Sequence, residues 1–194
     1  MNVLHLDTSA LGGHSVSRQL TASIVAQLKR DGVASTISYR DLAAEPLPHW
    51  QPHADASSEA AQRDEAVLQQ FLAADIVVLG APMYNFSITS TLKAWLDRVM
   101  VAGRTFRYGP NGPEGLAGGK RVVIASSRGG IYSEGPAAAM DFQETYLRTA
   151  FGFIGITDVE FVRAEGVAMG DEARQRALNQ AHAAIDQLAL RKAA

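Results

Sequence analysis

The sequence predicts a doubly wound α/β fold, with helices on both faces of a five-stranded parallel sheet. Five short β-like runs alternate with longer segments of helical periodicity, as expected of consecutive strand and helix units. The third and fourth runs, residues 75–81 and 121–126, are apolar without alternation, which is typical of strands covered on both faces. Because no repeat, low-complexity block or linker interrupts this pattern, we expect residues 1–194 to form a single domain.

The strands are assigned from these runs in chain order. The third and fourth strands should be central in the sheet. The second and fifth runs contain polar residues, which indicates strands nearer the sheet edges. The five predicted strands cover residues 3–7, 35–40, 75–81, 121–126 and 158–164.

The helices are assigned from apolar residues that recur every three to four positions. After the first strand this spacing predicts an amphipathic helix that buries Val16, Leu20, Ile24 and Leu28. Ser15 or Ser17 can cap the N-terminus of that helix. Further helices are predicted over residues 58–73, 90–101, 137–150 and 171–190. Two segments rich in proline or glycine, residues 43–55 and 103–119, should cross the rim of the sheet.

Composition excludes several classes of function. The chain has 194 residues, 47% of them hydrophobic, and a formal net charge of −2. A chain of this length buries enough surface to fold without disulfides, and its charge provides no general basic field for nucleic acid. The chain has no cysteine, which excludes thiolate catalysis and Cys-based metal or iron–sulfur sites. Redox chemistry would therefore need a cofactor.

No targeting segment, membrane segment or metal site is expected. The N-terminus lacks the basic region and cleavage site of a signal peptide, and the apolar run at residues 76–81 is far shorter than the roughly 20 residues of a membrane helix. We therefore expect a cytoplasmic protein that binds neither membrane nor nucleic acid. His49 and His53 are four residues apart, but a proline precedes each and no third ligand is in view, so we expect a solvated loop there.

Ligands of open parallel sheets bind beyond the carboxyl ends of the strands. This rule selects three loops, residues 8–17, 82–89 and 127–135. The first is rich in hydroxyl groups and opens a helix, a combination that can hold a phosphate through backbone N–H groups and serine hydroxyls. It contains neither a Walker A motif nor a Gly-x-Gly-x-x-Gly turn. Ser15 and Ser17 can equally serve only as helix caps, and both interpretations stay open at this point.

The other two loops carry aromatic residues and glycines. Tyr84 and Phe86 flank Asn85, an arrangement that can hold a planar heterocycle against aromatic rings and an amide. An asparagine in a tight loop can also be only a turn residue, and Phe86 only a packing residue. Gly129 and Gly130 allow the backbone to approach a ligand closely and to offer N–H groups to an electron-rich atom, although two glycines can equally form a plain turn.

Together these motifs resemble one family closely. The resemblance is to the FMN-dependent NADH-azoreductases, bacterial flavodoxin-like reductases of quinones and azo compounds, and it extends from Leu4 to about Gly166. It implies a flavodoxin-like five-stranded sheet of order 2-1-3-4-5 and a homodimer with one FMN per subunit at each end of the interface. The motifs that carry it are PMYNFSI at residues 82–88, LKxWLD at 92–97, GRTF at 103–106, SRGG at 127–130 and FGFIGITD at 151–158.

The resemblance also implies a site, residue by residue. The FMN phosphate and ribityl chain would contact Ser9, Ser15, Val16 and Ser17. The isoalloxazine would contact Met83, Tyr84, Asn85 and Phe86, with Ser127, Arg128, Gly129 and Gly130 along its other edge. The aromatic wall for a flat substrate would come from Phe106, Tyr132 and Phe153. One residue departs from the family pattern: Thr89 stands where the family usually has proline, and we expect the following helix to lack a preset first turn.

The activity that the resemblance implies is a ping-pong reaction. NADH or NADPH would pass a hydride to the flavin and leave, and a quinone or azo compound would then take its place. Because the flavin carries the chemistry, no side chain is assigned as a catalytic acid or base, and Tyr132 can either donate a proton or only shape the pocket.

Three other functions fit the predicted fold less well. Flavodoxin-like electron carriers are usually strongly acidic around the flavin, whereas this chain is nearly neutral. A receiver-like signalling module needs an aspartate at the end of the third strand, where this chain has Gly80-Ala81-Pro82. A hydrolase of this architecture needs a Gly-x-Ser-x-Gly elbow, which the sequence lacks.

Overall fold

The computed structural model describes residues 1–188. Its strands are β1 (Asn2–Asp7), β2 (Thr36–Asp41), β3 (Ile76–Pro82), β4 (Phe106–Gly109), β5 (Gly112–Gly115), β6 (Arg121–Ser127) and β7 (Asp158–Ala164). Its α-helices are α1 (Val16–Arg30), α2 (Glu59–Leu72), α3 (Ser90–Val99), α4 (Glu144–Phe153) and α5 (Asp171–Leu188).

Five parallel strands form the main sheet in the order β2-β1-β3-β6-β7. This is the predicted order 2-1-3-4-5, because β4 and β5 belong to a separate hairpin. All residues of β3 and β6 are buried, whereas β2 and β7 lie at the two edges and keep exposed positions. The fold prediction, including the central place of the two apolar strands, is confirmed.

Alternate residues of each central strand face two separate cores. In β3, Val77 and Leu79 pack against α2, α3 and α4, whereas Ile76 and Val78 pack against α1 and α5. This alternation follows from the period of two residues along a strand. Since both faces of the sheet are covered by helices, a ligand can approach the central strands only at their ends, where the loops lie.

Thr89 caps α3, contrary to the expectation that replacing proline weakens the start of this helix. Its side chain accepts the N–H of Leu92 at 3.2 Å, and its backbone is extended, as in other N-cap residues. Thr89 therefore lies just before the first helical turn rather than inside it, and its hydroxyl satisfies one of the N–H groups that the helix leaves free.

The helix predicted over residues 137–150 is wrong in its first half. A short 3-10 helix covers Ala138–Met140, and α4 begins only at Glu144. The helical conformation is interrupted at Asp141, whose Oδ1 accepts the N–H groups of Gln143 and Glu144 at 3.0 Å. A local side-chain acceptor of this kind competes with the helical hydrogen bonds.

Two other helix ends differ from prediction by less. Helix α3 ends at Val99 rather than at residue 101, because the hydroxyl of Thr105 donates to the carbonyl of Val99 at 2.6 Å and accepts the N–H of Val101 at 2.9 Å. Helix α5 extends to Leu188, and the last two residues of the predicted segment 171–190 lie outside the described residues.

The segment 103–119 contains a hairpin that the sequence did not predict. β4 and β5 pair in antiparallel register, and Gly112, the first residue of β5 after the turn, has a φ of 107°. Gly115 packs directly on the backbone of Gly155, where any side chain would collide. The hairpin is thus fixed to the end of α4. The other excursion, residues 43–55, forms neither helix nor strand. Among residues 1–188, no helix has the length and apolar character that crossing a bilayer requires.

Candidate functional site

Direct contacts bring the three predicted loops together at the carboxyl ends of β1, β3 and β6. The hydroxyl of Tyr84 lies 3.3 Å from Oγ of Ser9 and accepts the N–H of Ala10 at 3.1 Å. The N–H of Met83 donates to the carbonyl of Ser127 at 2.8 Å. Because the second loop contacts both of the others, the predicted residues of all three loops share one edge of the sheet.

The first loop places buried hydroxyl groups at the start of α1. Oγ of Ser15 caps the helix by accepting the N–H of Arg18 at 3.3 Å, and it lies 3.1 Å from Oγ of Ser17. Across residues 1–188, the N–H groups of Val16 and Ser17 have no acceptor. These two donors lie at the positive end of the helix dipole, so this turn suits an anion such as a phosphate. Capping by Ser15 and anion binding are therefore compatible.

An ion pair that the sequence analysis missed supports this loop. The guanidinium of Arg18 donates to the carbonyl of Ser9 at 2.8 Å and to both carboxylate oxygens of Asp41 at 2.6 and 2.7 Å. The hydrogen bond from Arg18 is the main reason that the pKa of Asp41 lies below its ordinary value. This network joins the carboxyl end of β2 to the first loop. Arg18 and Asp41 are 23 residues apart in the sequence, and no local pattern indicates that they pair.

The second loop is a tight turn with unusual backbone angles. Tyr84 and Ser87 exchange hydrogen bonds at 2.9 and 3.1 Å, and Asn85 and Phe86 between them have φ angles of 48° and 71°. Two successive positive φ angles define a type I′ turn. Asparagine tolerates this conformation, but a phenylalanine there costs on the order of 1–3 kcal/mol, and such strain is concentrated at functional sites.

This turn presents an aromatic ring to solvent. Phe86 is 43% exposed, and its ring meets that of Tyr132 edge to face with centroids 6.1 Å apart. The carbonyl of Phe86 accepts the N–H of Phe142 at 3.1 Å, which anchors the turn to the segment before α4. The rings of the second and third loops thus form one aromatic pair, in which Phe86 is exposed and Tyr132 is half-buried.

The backbone of the third loop is held so that consecutive N–H groups face one way. The carbonyls of Arg128, Gly129 and Gly130 accept N–H groups of residues 166–168 at 2.9–3.1 Å. In a trans peptide the carbonyl and the next N–H point in opposite directions, and the described chain has no cis bond. The N–H groups of Gly129, Gly130 and Ile131 therefore point away from residues 166–168. They have no acceptor within residues 1–188, and such a run of amides is an anion-binding arrangement.

The side chain of Arg128 is fully buried in a cluster of acidic and polar groups. Its Nη2 lies 2.8 Å from Asp141 and 2.7 Å from Glu144, and its Nη1 donates to Glu165 at 3.0 Å. Its Nε donates to Oε1 of Gln143 at 3.0 Å. Arg128 can therefore meet a ligand only through its backbone, and its guanidinium serves the structure of the loop.

The three aromatics predicted for a substrate wall fall into two groups. Tyr132 contacts Phe86 at the loops, as described above. Phe106 and Phe153 instead pack on each other with centroids 4.7 Å apart, and Phe106 also meets Tyr108 of the hairpin at 5.7 Å. Phe106 and Phe153 are partly buried against the core beneath α2, α3 and α4. Only Tyr132 of the three is placed in the loop cluster by a ring contact within the described chain.

The loop at residues 43–55 is largely exposed, as the sequence predicted, and within it His53 contacts an acidic side chain. Its Nε2 lies 2.9 Å from Oδ2 of Asp64, and Oδ1 of the same carboxylate accepts from Nε of the buried Arg98 at 2.5 Å. This pair ties the segment 43–55 to α2 and α3 beside a cavity of about 720 Å³. Across residues 1–188, no three or more His, Asp or Glu side chains are grouped so that they could hold a metal ion.

Comparisons with known proteins agree with the resemblance seen in the sequence. A family model described as a flavodoxin-like fold matches residues 1–189. An FMN-dependent NADH:quinone oxidoreductase of Ralstonia nicotianae is 56% identical to this chain, and the match covers 95% of both chains. One of Stenotrophomonas maltophilia is 58% identical, and the match covers 95% of this chain and 94% of that protein. Two solved structures from Bacillus anthracis are also similar. An azoreductase has a TM-score of 0.89, 29% identity and coverage of 97% and 98%. An FMN-dependent NADH-azoreductase in complex with FMN has a TM-score of 0.83, 27% identity and coverage of 97% and 99%.

Proposed function

Since this chain belongs to the flavodoxin-like family whose model matches residues 1–189, we propose that it is an FMN-dependent NADH:quinone oxidoreductase that also reduces azo compounds. The observation that carries the proposal is the third loop. The N–H groups of Gly129, Gly130 and Ile131 face one way without an internal acceptor, at the sheet edge where α1 also begins. In this proposal residues 1–194 form one FMN-binding domain, and the protein is cytoplasmic.

The residues at this edge fit the two ends of FMN. A phosphate needs donors without competing negative charge, and the N–H groups of Val16 and Ser17, with the hydroxyls beside them, supply such donors. A flat ring needs a close backbone edge and aromatic contact. Gly129 and Gly130 provide that edge, because neither carries a side chain, and Phe86 provides exposed aromatic surface.

Different residues bind the phosphate end and the ring of FMN. Ser9, Ser15, Val16 and Ser17 hold the phosphate and ribityl end, and Met83, Tyr84, Asn85 and Phe86 hold the ring. Ser127, Arg128, Gly129 and Gly130 complete the other ring edge, with Arg128 contributing only backbone. FMN, when bound, supplies hydride acceptance from a nicotinamide and hydride donation to the substrate.

The protein stabilises the charge that this chemistry creates. With FMN bound, the N–H groups of Gly129 and Gly130 would donate to the ring edge where negative charge collects on reduction, and they would favour the reduced form. Phe86 and Tyr132 form an aromatic surface that suits flat molecules of either kind, the nicotinamide and the quinone or azo compound. One surface used in turn by donor and acceptor implies a ping-pong order. No side chain is assigned as an acid or base.

The proposal also includes a homodimer. Large apolar side chains that border the site are exposed in the single chain; they are Leu11, Phe86, Ile131, Met140 and Phe142. Exposed apolar surface beside a ligand site is typical of a subunit interface. In this arrangement Phe106 and Phe153 of one subunit would complete the pocket of the other. Sedimentation velocity should give twice the mass of one chain, and a monomer at micromolar concentration would contradict this part.

The test of the proposed function begins with cofactor retention. Protein reconstituted with FMN and passed through a desalting column should retain about one FMN per chain. Initial rates of NADH oxidation at several quinone concentrations should then give parallel double-reciprocal lines, as a ping-pong reaction requires. Intersecting lines would exclude the ping-pong order, and loss of FMN on the column would exclude the proposed function.

Variants of Asn85 test where the ring edge lies. Asn85→Gly keeps the positive φ accessible and removes only the amide, so it should weaken FMN retention or shift the flavin potential. Asn85→Ala adds backbone strain as well and should have a larger effect. Asn179→Ala, on an exposed face of α5, is the matched control. Unchanged FMN affinity, potential and turnover in Asn85→Gly would show that the ring is placed wrongly.

A further inference from the structure

Glu165, directly after β7, binds the third loop through one carboxylate. Its Oε1 accepts the N–H groups of Tyr132 and Ser133 at 2.8 and 3.0 Å and Nη1 of Arg128 at 3.0 Å. The hydroxyl of Ser133 donates to Oε2 of the same side chain. One side chain thus joins the start of the loop, through Arg128, to its end.

The residues that follow Glu165 hold the middle of the same loop. Residues 166–168 donate N–H groups to the carbonyls of Arg128, Gly129 and Gly130. Glu165 accepts the next two loop amides that have an acceptor in the described chain, those of Tyr132 and Ser133. Glu165 therefore satisfies the amides at one end of the loop, while those of Gly129, Gly130 and Ile131 stay available to a ligand.

The cluster behind the loop carries excess negative charge. It contains two guanidiniums, of Arg128 and Arg163, and three carboxylates, of Asp141, Glu144 and Glu165. Burial alone would raise the pKa of Glu165, but the hydrogen bonds from Ser133, the Tyr132 N–H and Arg128 outweigh it and hold the pKa below its ordinary value. Glu165 is therefore charged at neutral pH, and the cluster contains one more carboxyl group than guanidinium groups.

We propose that Glu165 is a positioning residue for the FMN site, acting through residues 128–133. Its carboxylate fixes the loop so that the N–H groups of Gly129 and Gly130 face the ring and the backbone of Tyr132 is held at the substrate surface. The inference rests on the proposed function. Its negative charge, behind amides that favour the reduced form, partly opposes that effect and lowers the flavin potential.

Two substitutions separate the hydrogen bonds from the charge. Glu165→Gln keeps an oxygen that can accept from Tyr132, Ser133 and Arg128, so the loop should stay ordered and FMN affinity should change less than threefold. The midpoint potential should rise, because one negative charge is lost. Glu165→Ala removes the acceptor as well, so FMN should dissociate at least tenfold more readily and KM for the quinone should rise more than kcat falls.

Hydrogen exchange in the FMN-free protein gives a readout that does not depend on the cofactor. The amides of Tyr132 and Ser133 should exchange at least tenfold faster in Glu165→Ala than in wild type, and at nearly the wild-type rate in Glu165→Gln. Glu160→Gln is the matched control, because Glu160 lies on β7, the strand that ends just before Glu165, but pairs with Arg121 at 2.8 Å toward the opposite end of the sheet. This control should leave exchange, affinity and potential unchanged.

The results distinguish failure of the inference from failure of the proposed function. Wild-type protein that retains no FMN would overturn the proposed function and this inference with it. Wild type that binds FMN beside a Glu165→Ala variant with unchanged exchange, affinity and KM would overturn the inference alone. If Glu165→Ala does not fold, Glu165→Gln still decides, since an unchanged or lowered midpoint potential in that variant contradicts the assigned role of the charge.

Discussion

Replacing Arg128 by methionine should destabilise the protein strongly without changing the volume of the core much. The guanidinium is fully buried and lies within 3.0 Å of three carboxylates, those of Asp141, Glu144 and Glu165. Glu144 keeps a second partner in Arg163, but Asp141 and Glu165 lose their only ion-pair partner within residues 1–188. Removing one member of a buried ion pair costs about 3–5 kcal/mol. For a chain of this size that corresponds to a fall in Tm of roughly 6–20 °C.

The loss of unfolding free energy in Arg128→Met should depend on pH. At neutral pH the Glu165 carboxylate is charged and loses its arginine partner in this variant, and in acid it can take up a proton. Since the pKa of Glu165 in wild type lies below its ordinary value, the difference in unfolding free energy between wild type and Arg128→Met should narrow as pH falls toward the ordinary carboxyl pKa near 4 and below it. A cost that arose only from lost packing would not change with pH.

Urea unfolding of the FMN-free proteins, followed by circular dichroism at pH 7 and pH 4.5, measures both effects. Arg107→Met is the control, because Arg107 pairs with Glu114 on the exposed hairpin, and it should leave the midpoint unchanged. Two results would refute the assignment of Arg128 to a buried charge cluster. One is a urea midpoint of Arg128→Met at pH 7 equal to that of wild type, and the other is a loss of unfolding free energy that does not depend on pH.

Three further predictions follow from single positions. Gly115→Ala should lower the free energy of unfolding in urea by at least about 3 kcal/mol, because its Cβ would lie 2.1 Å from the backbone just after α4. Gly152→Ala, within α4, is the control: its Cβ would meet nothing within 4 Å, and the variant should gain up to about 1 kcal/mol of stability. Thr89→Ala should lose about 1 kcal/mol with its helix cap, and Thr89→Ser should retain most of it; equal stability of the two would contradict the capping role. Because the pKa of Asp41 is lowered, chiefly by the hydrogen bond from Arg18, its contribution to stability is present above the ordinary carboxyl pKa near 4 and is lost as pH falls through the lowered value. Asp41→Asn should therefore flatten the fall in unfolding free energy between about pH 5 and pH 2, and an unchanged slope would count against this pair.

The sheet could be predicted from the sequence because its strongest signals are local. An uninterrupted apolar run is sufficient to place β3 and β6 between two helical layers, and a four-residue spacing is sufficient for α1. The cap at Ser15 follows in the same way, from a hydroxyl residue directly before the apolar stripe.

The elements that were missed depend on short or competing signals. The hairpin strands have four residues each, and the segment Gly109-Pro110-Asn111-Gly112 between them marks the turn that could have indicated it. The break at Asp141 follows from one side chain that accepts two backbone N–H groups, which periodicity over residues 137–150 does not register.

The supporting charges of the site could not be predicted from the sequence. Arg18 meets Asp41 across 23 residues, and Arg128 meets Glu165 across 37. Charged residues at such separations give no local pattern, so only the folded chain shows which pairs form. The loops that bind a ligand are therefore recognisable from sequence, whereas the residues that position those loops are not.

An anaerobic titration tests directly whether one pocket takes a hydride from NADH and delivers it to a quinone. The absorbance of FMN bound to wild-type protein would be followed while NADH, and then a quinone, is added under nitrogen. About one equivalent of NADH should bleach the flavin band, and about one equivalent of quinone should restore it fully. Retained FMN that NADH does not bleach, or bleached protein that a quinone does not reoxidise, would contradict the proposed function.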